Sequence, residues 1–183
     1  VILSSLLLTA CLSDKDMEKE FVIGISQLAE HPALDDARLG FEDGLKELGV
    51  NAKVDYQNAQ GEPANAMSIA EKFAKDKVDL IYAIATPAAK TPKQVNSDIQ
   101  LLFSAIPDPV DAELIDSMEI PGGNITGTSD AAPIDVQLAL FKKLDPSIEK
   151  VGIIFDTSEP NSKVQIDIAK DIGKDLGLEI VDM

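Results

Sequence analysis

From Phe21 onward, short apolar runs alternate with longer stretches in which apolar residues recur every three to four positions. Phe21-Val-Ile-Gly-Ile-Ser26 is apolar and β-branched at almost every position, the pattern of a strand buried on both faces. Pro32 then opens a helix at its first turn, with Asp35 and Asp36 where the positive end of the helix dipole favours acids. Leu34, Ala37, Phe41, Leu45 and Leu48 return at helical spacing, and Gly49 closes the element. The same reading predicts strands at 52–56, 78–85, 100–105 and 151–155, and again from residue 178. A short strand follows the glycine-rich Pro121-Gly-Gly-Asn-Ile-Thr-Gly127. Helices are predicted at 63–75, from Thr86, briefly after Pro109, at 133–144 and at 160–176. In the last of these Val164, Ile168, Ile172 and Leu176 form one stripe, and Gly177 ends it. Pro92 lies inside the helix that Thr86 starts, where it deletes the hydrogen bond to Ala88 and should kink or restart the helix.

Such alternation of strand and helix is the pattern of a parallel sheet covered by helices. The expected class is α/β, a doubly wound parallel sheet of the flavodoxin or Rossmann kind. The pattern also restarts, because Phe21-Val-Ile-Gly-Ile-Ser26 and Val151-Gly-Ile-Ile-Phe-Asp156 each open a strand–loop–helix unit. Residues 21–130 are then a first α/β lobe with five strands. Residues 131–183 are a hinge crossover and the start of a second, truncated lobe. A single seven-stranded sheet is the alternative.

Residues 1–20 read differently. Val1 to Ala10 is uncharged and apolar, too short to span a bilayer at ~20 residues, and it closes on small residues before Cys11, the only cysteine. That is the apolar segment and processing site of a secretory signal. Leu8-Thr9-Ala10-Cys11 resembles the lipobox at which bacterial lipoproteins are cleaved and lipidated. Residues 1–11 are accordingly read as signal-peptide remnant and lipobox, and the abruptly polar 12–20 as a tether. The simpler alternative is a buried structural thiol in an apolar strand. No Met and no basic residue precedes Cys11, and Leu178 to Met183 reads as a strand caught in mid-fold, so both ends read as clipped and a longer native protein is expected. The expected location is extracytoplasmic, in the periplasm or at the cell surface. One acyl chain anchors only marginally, so stable attachment to the membrane implies several on Cys11.

Charge narrows the partners. Sixteen Lys and Arg against 32 Asp and Glu leave a net charge of −16 at pH 7, and no basic cluster offers a nucleic-acid surface. One Cys and one His leave no intramolecular disulfide and little basis for a zinc site or a Cys–His pair. No G-x-G-x-x-G follows a strand, and there is no Walker loop, nucleophile elbow or His near a serine nucleophile. No catalytic residue, metal or cofactor is therefore expected. Gly122-Gly-Asn-Ile-Thr-Gly127 precedes a strand rather than opening a helix, which makes it a turn and not a phosphate cradle.

Several segments together carry a resemblance, in order and in spacing. They are Phe21 to Leu45, Asp55-Tyr-Gln-Asn-Ala-Gln-Gly61, Ile84-Ala-Thr-Pro-Ala-Ala89, Asp108-Pro-Val110, Asn124-Ile-Thr-Gly-Thr-Ser-Asp130 and Asn161-Ser162. The chain resembles the substrate-binding lipoproteins of ABC importers, of the type I periplasmic-binding-protein fold, whose members include binders of tryptophan and other aromatic amino acids. The resemblance implies two doubly wound lobes that close on an amino acid at a hinge. It also implies a monomer that delivers its ligand to ABC permease subunits without covalent chemistry. Two positions depart from the family pattern: Pro92 replaces a plain helix former, and Pro107 stands where Thr or Ser is more usual.

In open parallel sheets, ligands sit beyond the carboxyl ends of the strands, at a switch point. The loops after residues 26, 85, 105, 127 and 155 are therefore the candidates. Thr86-Pro87-Ala88-Ala89 reads as an N-cap, a first-turn proline and two alanines that leave approach open. Free amides there can bind an amino-acid carboxylate, although an ordinary capped helix needs no more. Asp108 is placed to pair with an ammonium, yet Asp before Pro is also a turn former; Asp130 is a second candidate. Gln27, Glu30 and His31 occupy the first loop, where His31 either walls the site or merely precedes a helix. Asn161 and Ser162 cap the first helix of the second lobe or reach across the cleft. Two rival readings stay open: a flavodoxin-like enzyme or regulatory domain, and a sugar or nucleoside receptor. The latter usually stacks its ligand on aromatics, which are only 4% of this chain.

Overall fold

The computed structural model describes residues 19–95, 98–157 and 160–182. Cys11, the lipobox and most of the tether lie outside the described residues. Among the described residues seven strands and five helices follow in the order β1 (Phe21–Gln27), α1 (Pro32–Glu47), β2 (Ala52–Asn58), α2 (Pro63–Asp76), β3 (Leu80–Ile84), α3 (Thr86–Val95), β4 (Gln100–Ile106), β5 (Ile125–Ser129), α4 (Ile134–Leu144), β6 (Lys150–Ile153), α5 (Pro160–Leu176) and β7 (Glu179–Asp182). The strands divide into a five-stranded sheet of order β2-β1-β3-β4-β5 and a two-stranded sheet, β6-β7. Every pairing is parallel.

Side chains of the larger sheet alternate between two helical layers. Ile23, Ile25, Tyr82 and Ile84 face α1, against Leu34, Ala37, Phe41 and Leu45. Ile81, Ala83, Leu101 and Phe103 face the opposite way, against Ile69 and Phe73 of α2 and Ala88 and Ala89 of α3. The sheet is thus doubly wound, which explains why its central strands read as continuous apolar runs rather than alternating ones. At Gly24 an added Cβ would lie 2.8 Å from the Phe73 ring, so glycine there lets α2 pack directly on β1. On the other face the Phe41 and Tyr82 rings stack with centroids 4.2 Å apart. The Tyr82 hydroxyl shares a 2.6 Å hydrogen bond with Ser104. Burial pushes the Tyr82 phenol above its ordinary value, against the opposing pull of that bond.

Around the smaller sheet, Leu138, Val151, Ala169 and Leu178 form a separate core with Ile153, Ile172 and Leu176 packed on it.

Four local expectations are corrected. Leu48 does not join the α1 stripe; it caps the helix and is 81% exposed. The stripe expected on α5 splits, since Ile172 and Leu176 join the core with Ala169, while Val164 and Ile168 line a small cavity with Pro107 and Asp108, Ile168 staying 41% exposed. No helix follows Pro109; residues 109–113 are turns, in which Asp108 Oδ1 accepts from the amides of Val110 and Asp111. Helix α3 runs unbroken through the buried Pro92. Proline cannot donate to the carbonyl of Ala88, but the Thr91 hydroxyl donates to it instead, at 3.3 Å. Among the described residues, no helix is long and apolar enough to cross a membrane.

Candidate functional site

In the order β2-β1-β3-β4-β5 the chain leaves β1 toward one edge and returns at β3 on its other side. The carboxyl ends of β1 and β3 are therefore the switch point where a crevice opens. Two kinds of strain collect near it. Ala85, just past β3, has φ +82°, and Ala105, at the end of β4, has φ +55°. Non-glycine residues in this region cost of order 1–3 kcal/mol each, and such strain clusters at functional sites. At the end of β1, Ser26 and Gln27 are fully buried, and Ser26 Oγ and Gln27 Oε1 have no hydrogen-bond partner. Gln27 Nε2 is held, donating to Ala29 O at 2.8 Å and to Asp35 Oδ1 at 2.9 Å.

Thr86 is the first residue of α3 and is buried, at 6% exposure. It is not the cap; Ala85 occupies that position, and its carbonyl accepts from Ala89 N–H at 3.2 Å. Pro87 has no N–H, so the first turn presents the amides of Thr86 and Ala88, which helix geometry leaves without an intrahelical acceptor. The side chains of Ala88 and Ala89 belong to the core, and the Ala89 N–H is taken by Ala85, which leaves the Ala88 amide as the contribution of this pair. Thr86 Oγ1 accepts from Asn161 Nδ2 of α5 at 3.0 Å. That bond joins the helical layer of the five-stranded sheet to the first turn of the helix that serves the other sheet. Beside it lies a cavity of about 100 Å³ lined by Pro107, Asp108, Ile134, Asn161, Val164 and Gln165, among others.

The structure thus gathers Thr86, Asp108 and Asn161, with Gln27 at the end of the adjoining β1 and the backbone of Ala88 behind. The remaining candidates stand apart. Asp130 is exposed on the loop after β5, where its N–H donates to Ile106 O at 3.4 Å. His31 is exposed and caps α1, its Nδ1 accepting from Ala33 N–H at 3.2 Å. Glu30 lines an open polar cleft of about 830 Å³ with Asp35, Arg38, Tyr56, Asn58 and Gln60. There the Arg38 guanidinium lies 4.6 Å from the Tyr56 ring centroid and bonds Glu42 at 2.8 Å. Ser162 lines a groove of about 590 Å³ between α4, β6 and α5. Sequence reading overlooked Gln165 and Ser26. The signal for Gln165 was its place one helical turn beyond Asn161, and for Ser26 a hydroxyl closing an apolar strand. Among the described residues no cluster of His, Cys, Asp and Glu is arranged to hold a metal.

A family model described as ABC transporter substrate binding protein matches residues 22–183. The chain belongs to this family. A tyrosine-binding protein of Clostridioides difficile is 47% identical to this chain over 171 residues, covering 91% of it and 50% of the relative. An ABC domain of Streptococcus pneumoniae, solved in complex with L-Trp, matches with a TM-score of 0.84 at 33% identity, over 90% of this chain and 57% of that one. A substrate-binding protein with adhesive properties from Clostridium difficile, in its ligand-free, open form, gives a TM-score of 0.75 at 44% identity, over 89% and 57%. The chain spans about half the length of the curated relative it matches. The five-stranded sheet is a doubly wound α/β lobe of the two-lobe periplasmic-binding fold. The family match does not favour the flavodoxin-like alternative.

Proposed function

We propose that this substrate-binding chain takes up a free amino acid with an aromatic side chain at the junction of α3 and α5, for delivery to the permease of an ABC importer. The observation that carries the reading is the Asn161–Thr86 hydrogen bond, which brings an element of the second sheet onto the helix start at the switch point of the first. The amides of Thr86 and Ala88 suit a carboxylate, because a helix N-terminus concentrates donors and positive potential. Asp108 lines the adjacent cavity and answers the ammonium, one of its oxygens serving the turn. Binding needs no activated group, so no catalytic residue is assigned. The aromatic preference rests on the names of two relatives, one tyrosine-binding and one solved with L-Trp.

In this reading residues 21–130 and 131–183 belong to two lobes that close on the ligand by a hinge motion. The protein works as an extracytoplasmic monomer, held to the membrane by lipid on Cys11 through the tether of residues 12–20. Cys11→Ser in the full-length gene should move it from the membrane fraction to a soluble or unprocessed pool, and unchanged fractionation would remove the anchor.

The ligand is tested by calorimetry on the full-length gene product with L-tyrosine, L-tryptophan, L-phenylalanine and tyramine, which lacks the carboxylate. Tyramine should bind at least a hundredfold more weakly than tyrosine. Asp108→Asn keeps shape but deletes the charge and should cost about 2–5 kcal/mol of binding, which is roughly 30-fold or more in Kd. Equal affinity for tyrosine and tyramine, or an unaffected Asp108→Asn, would sink the site.

A further inference from the structure

The bond between Asn161 and Thr86 has a direction, and the direction carries a consequence for the site proposed above, on which this inference rests. A threonine hydroxyl has one proton to give and two lone pairs to receive with. Threonines in helices commonly give that proton to a carbonyl three or four residues back. Thr91, one turn along the same helix, does so, donating to Ala88 O at 3.3 Å. Thr86 has no such outlet, because it is the first residue of α3 and the chain behind it is the strand β3. What it has is a donor, Asn161 Nδ2 at 3.0 Å. An amide –NH₂ group accepts nothing, so the proton of Thr86 cannot point back at it. Desolvation raises the stakes, since Thr86 is only 6% exposed and a buried hydroxyl proton without an acceptor is costly. The preceding Ala85 is held at φ +82°, a conformation that persists only where the surroundings impose it. The position of Thr86 is therefore fixed by the fold rather than by its own helix.

We infer that Asn161 is a positioning residue: by donating to Thr86 Oγ1 across the junction, it turns the Thr86 proton toward the crevice, where it donates to the carboxylate of the ligand. Approach of α5 to α3 would then complete a carboxylate site made of the Thr86 hydroxyl and the first-turn amides. The ligand's acid group becomes the part that reads whether the two helices have met.

The test uses the full-length gene product, calorimetry with L-tyrosine and tyramine as probes, and a melting curve for each variant without ligand. Asn161→Asp reverses the bond, because a carboxylate takes the Thr86 proton and repels the ligand's acid. It should weaken tyrosine by at least 30-fold and change tyramine by less than threefold. Asn161→Ala should weaken tyrosine by three- to tenfold, and that loss should vanish in a Thr86→Val background. Thr86→Ser, which keeps the hydroxyl, should stay within threefold of wild type. Should Asn161→Asp fold poorly, the comparison of Asn161→Ala in the two Thr86 backgrounds still decides. Equal losses for tyrosine and tyramine, or an Asn161→Ala effect that persists in Thr86→Val, overturn the positioning role while leaving amino-acid binding intact. A wild type that binds neither tyrosine, tryptophan nor phenylalanine overturns both.

Discussion

In the five-stranded sheet, β1 buries every residue from Ile23 to Gln27 and β3 every residue from Ile81 to Ile84, whereas β6 buries only Val151 and β7 none. Both sheets are launched by a similar apolar run and a parallel pairing, so strand propensity does not separate them. The layers do. Strand β1 lies between α1 on one face and α2 with α3 on the other, while the core at β6 is closed by α4 and α5 and flanked by an open groove. Ile154, just past β6, is 85% exposed. A run of valines and isoleucines becomes a core strand only when both its faces are covered, and at roughly 25 cal/mol per Å² of buried apolar surface the covering supplies most of the stability.

The comparison breaks most visibly through large-to-small substitution. Phe73→Ala empties a fully buried site over Gly24 and should cost about 3–5 kcal/mol, against about 2 kcal/mol for Leu138→Ala in the smaller core. Urea unfolding followed by circular dichroism measures both; equal losses would mean that the two cores are equally consolidated. Hydrogen exchange asks the same question without mutation. Amides of β1 and β3 should exchange at least tenfold more slowly than those of β6 and β7, because local opening follows covered surface. Uniform protection would erase the distinction.

Backbone strain sharpens it further. Ala85 and Ala105 carry positive φ near the crevice, whereas in the second region the described positive φ falls on a glycine, Gly177, at +64°. Ala85→Gly should therefore stabilise the protein by about 0.5–1 kcal/mol, as relief of strain exceeds the entropy that glycine adds to the unfolded chain. Gly177→Ala should do the opposite by about 1 kcal/mol. A destabilising Ala85→Gly in thermal melts would show that the turn is not strained.

The smallest effect is electrostatic. Burial alone would raise the Asp55 carboxyl, but hydrogen bonds from Lys72 and Gln57 outweigh it and hold the group below its ordinary value. A carboxyl depressed in the folded state contributes stability above its unfolded value near 3.9, and that contribution is lost as pH falls through the lower folded value. For this partly exposed pair it amounts to about 0.5 kcal/mol. Asp55→Asn should flatten the acid limb of stability below about pH 5 by that amount, and an unchanged acid limb would mean the pairing contributes nothing.

Much of the first sheet was legible because its signals are local. The runs at Phe21 and Val78, the helix opened by Pro32 and the left-handed glycines of the turn at Gly122 and Gly123 each declare themselves within a few residues. Legibility failed where a partner decides. Val164 and Ile168 have the spacing of a core stripe, yet they line a small cavity with Pro107 and Asp108 instead of the core, because periodicity does not say which part of an apolar face meets which layer. Pro92 reads as a break until Thr91 is seen to satisfy the carbonyl it orphans.

The candidate site divides in the same way. That Thr86, Ala88 and Ala89 begin a helix after a buried strand, and that Asp108 begins a turn, follows from residue types and their immediate order, since caps, prolines and apolar runs act over one turn of chain. That Thr86 accepts from Asn161, 75 residues away, does not follow from any such pattern. Neither residue alters the local preference of the other, and only the tertiary placement of α5 beside α3 brings them to hydrogen-bonding distance. By itself the sequence determined the elements and the class of fold. Tertiary structure decided which polar groups share the crevice, because burial and pairing depend on what lies on the far side of each face.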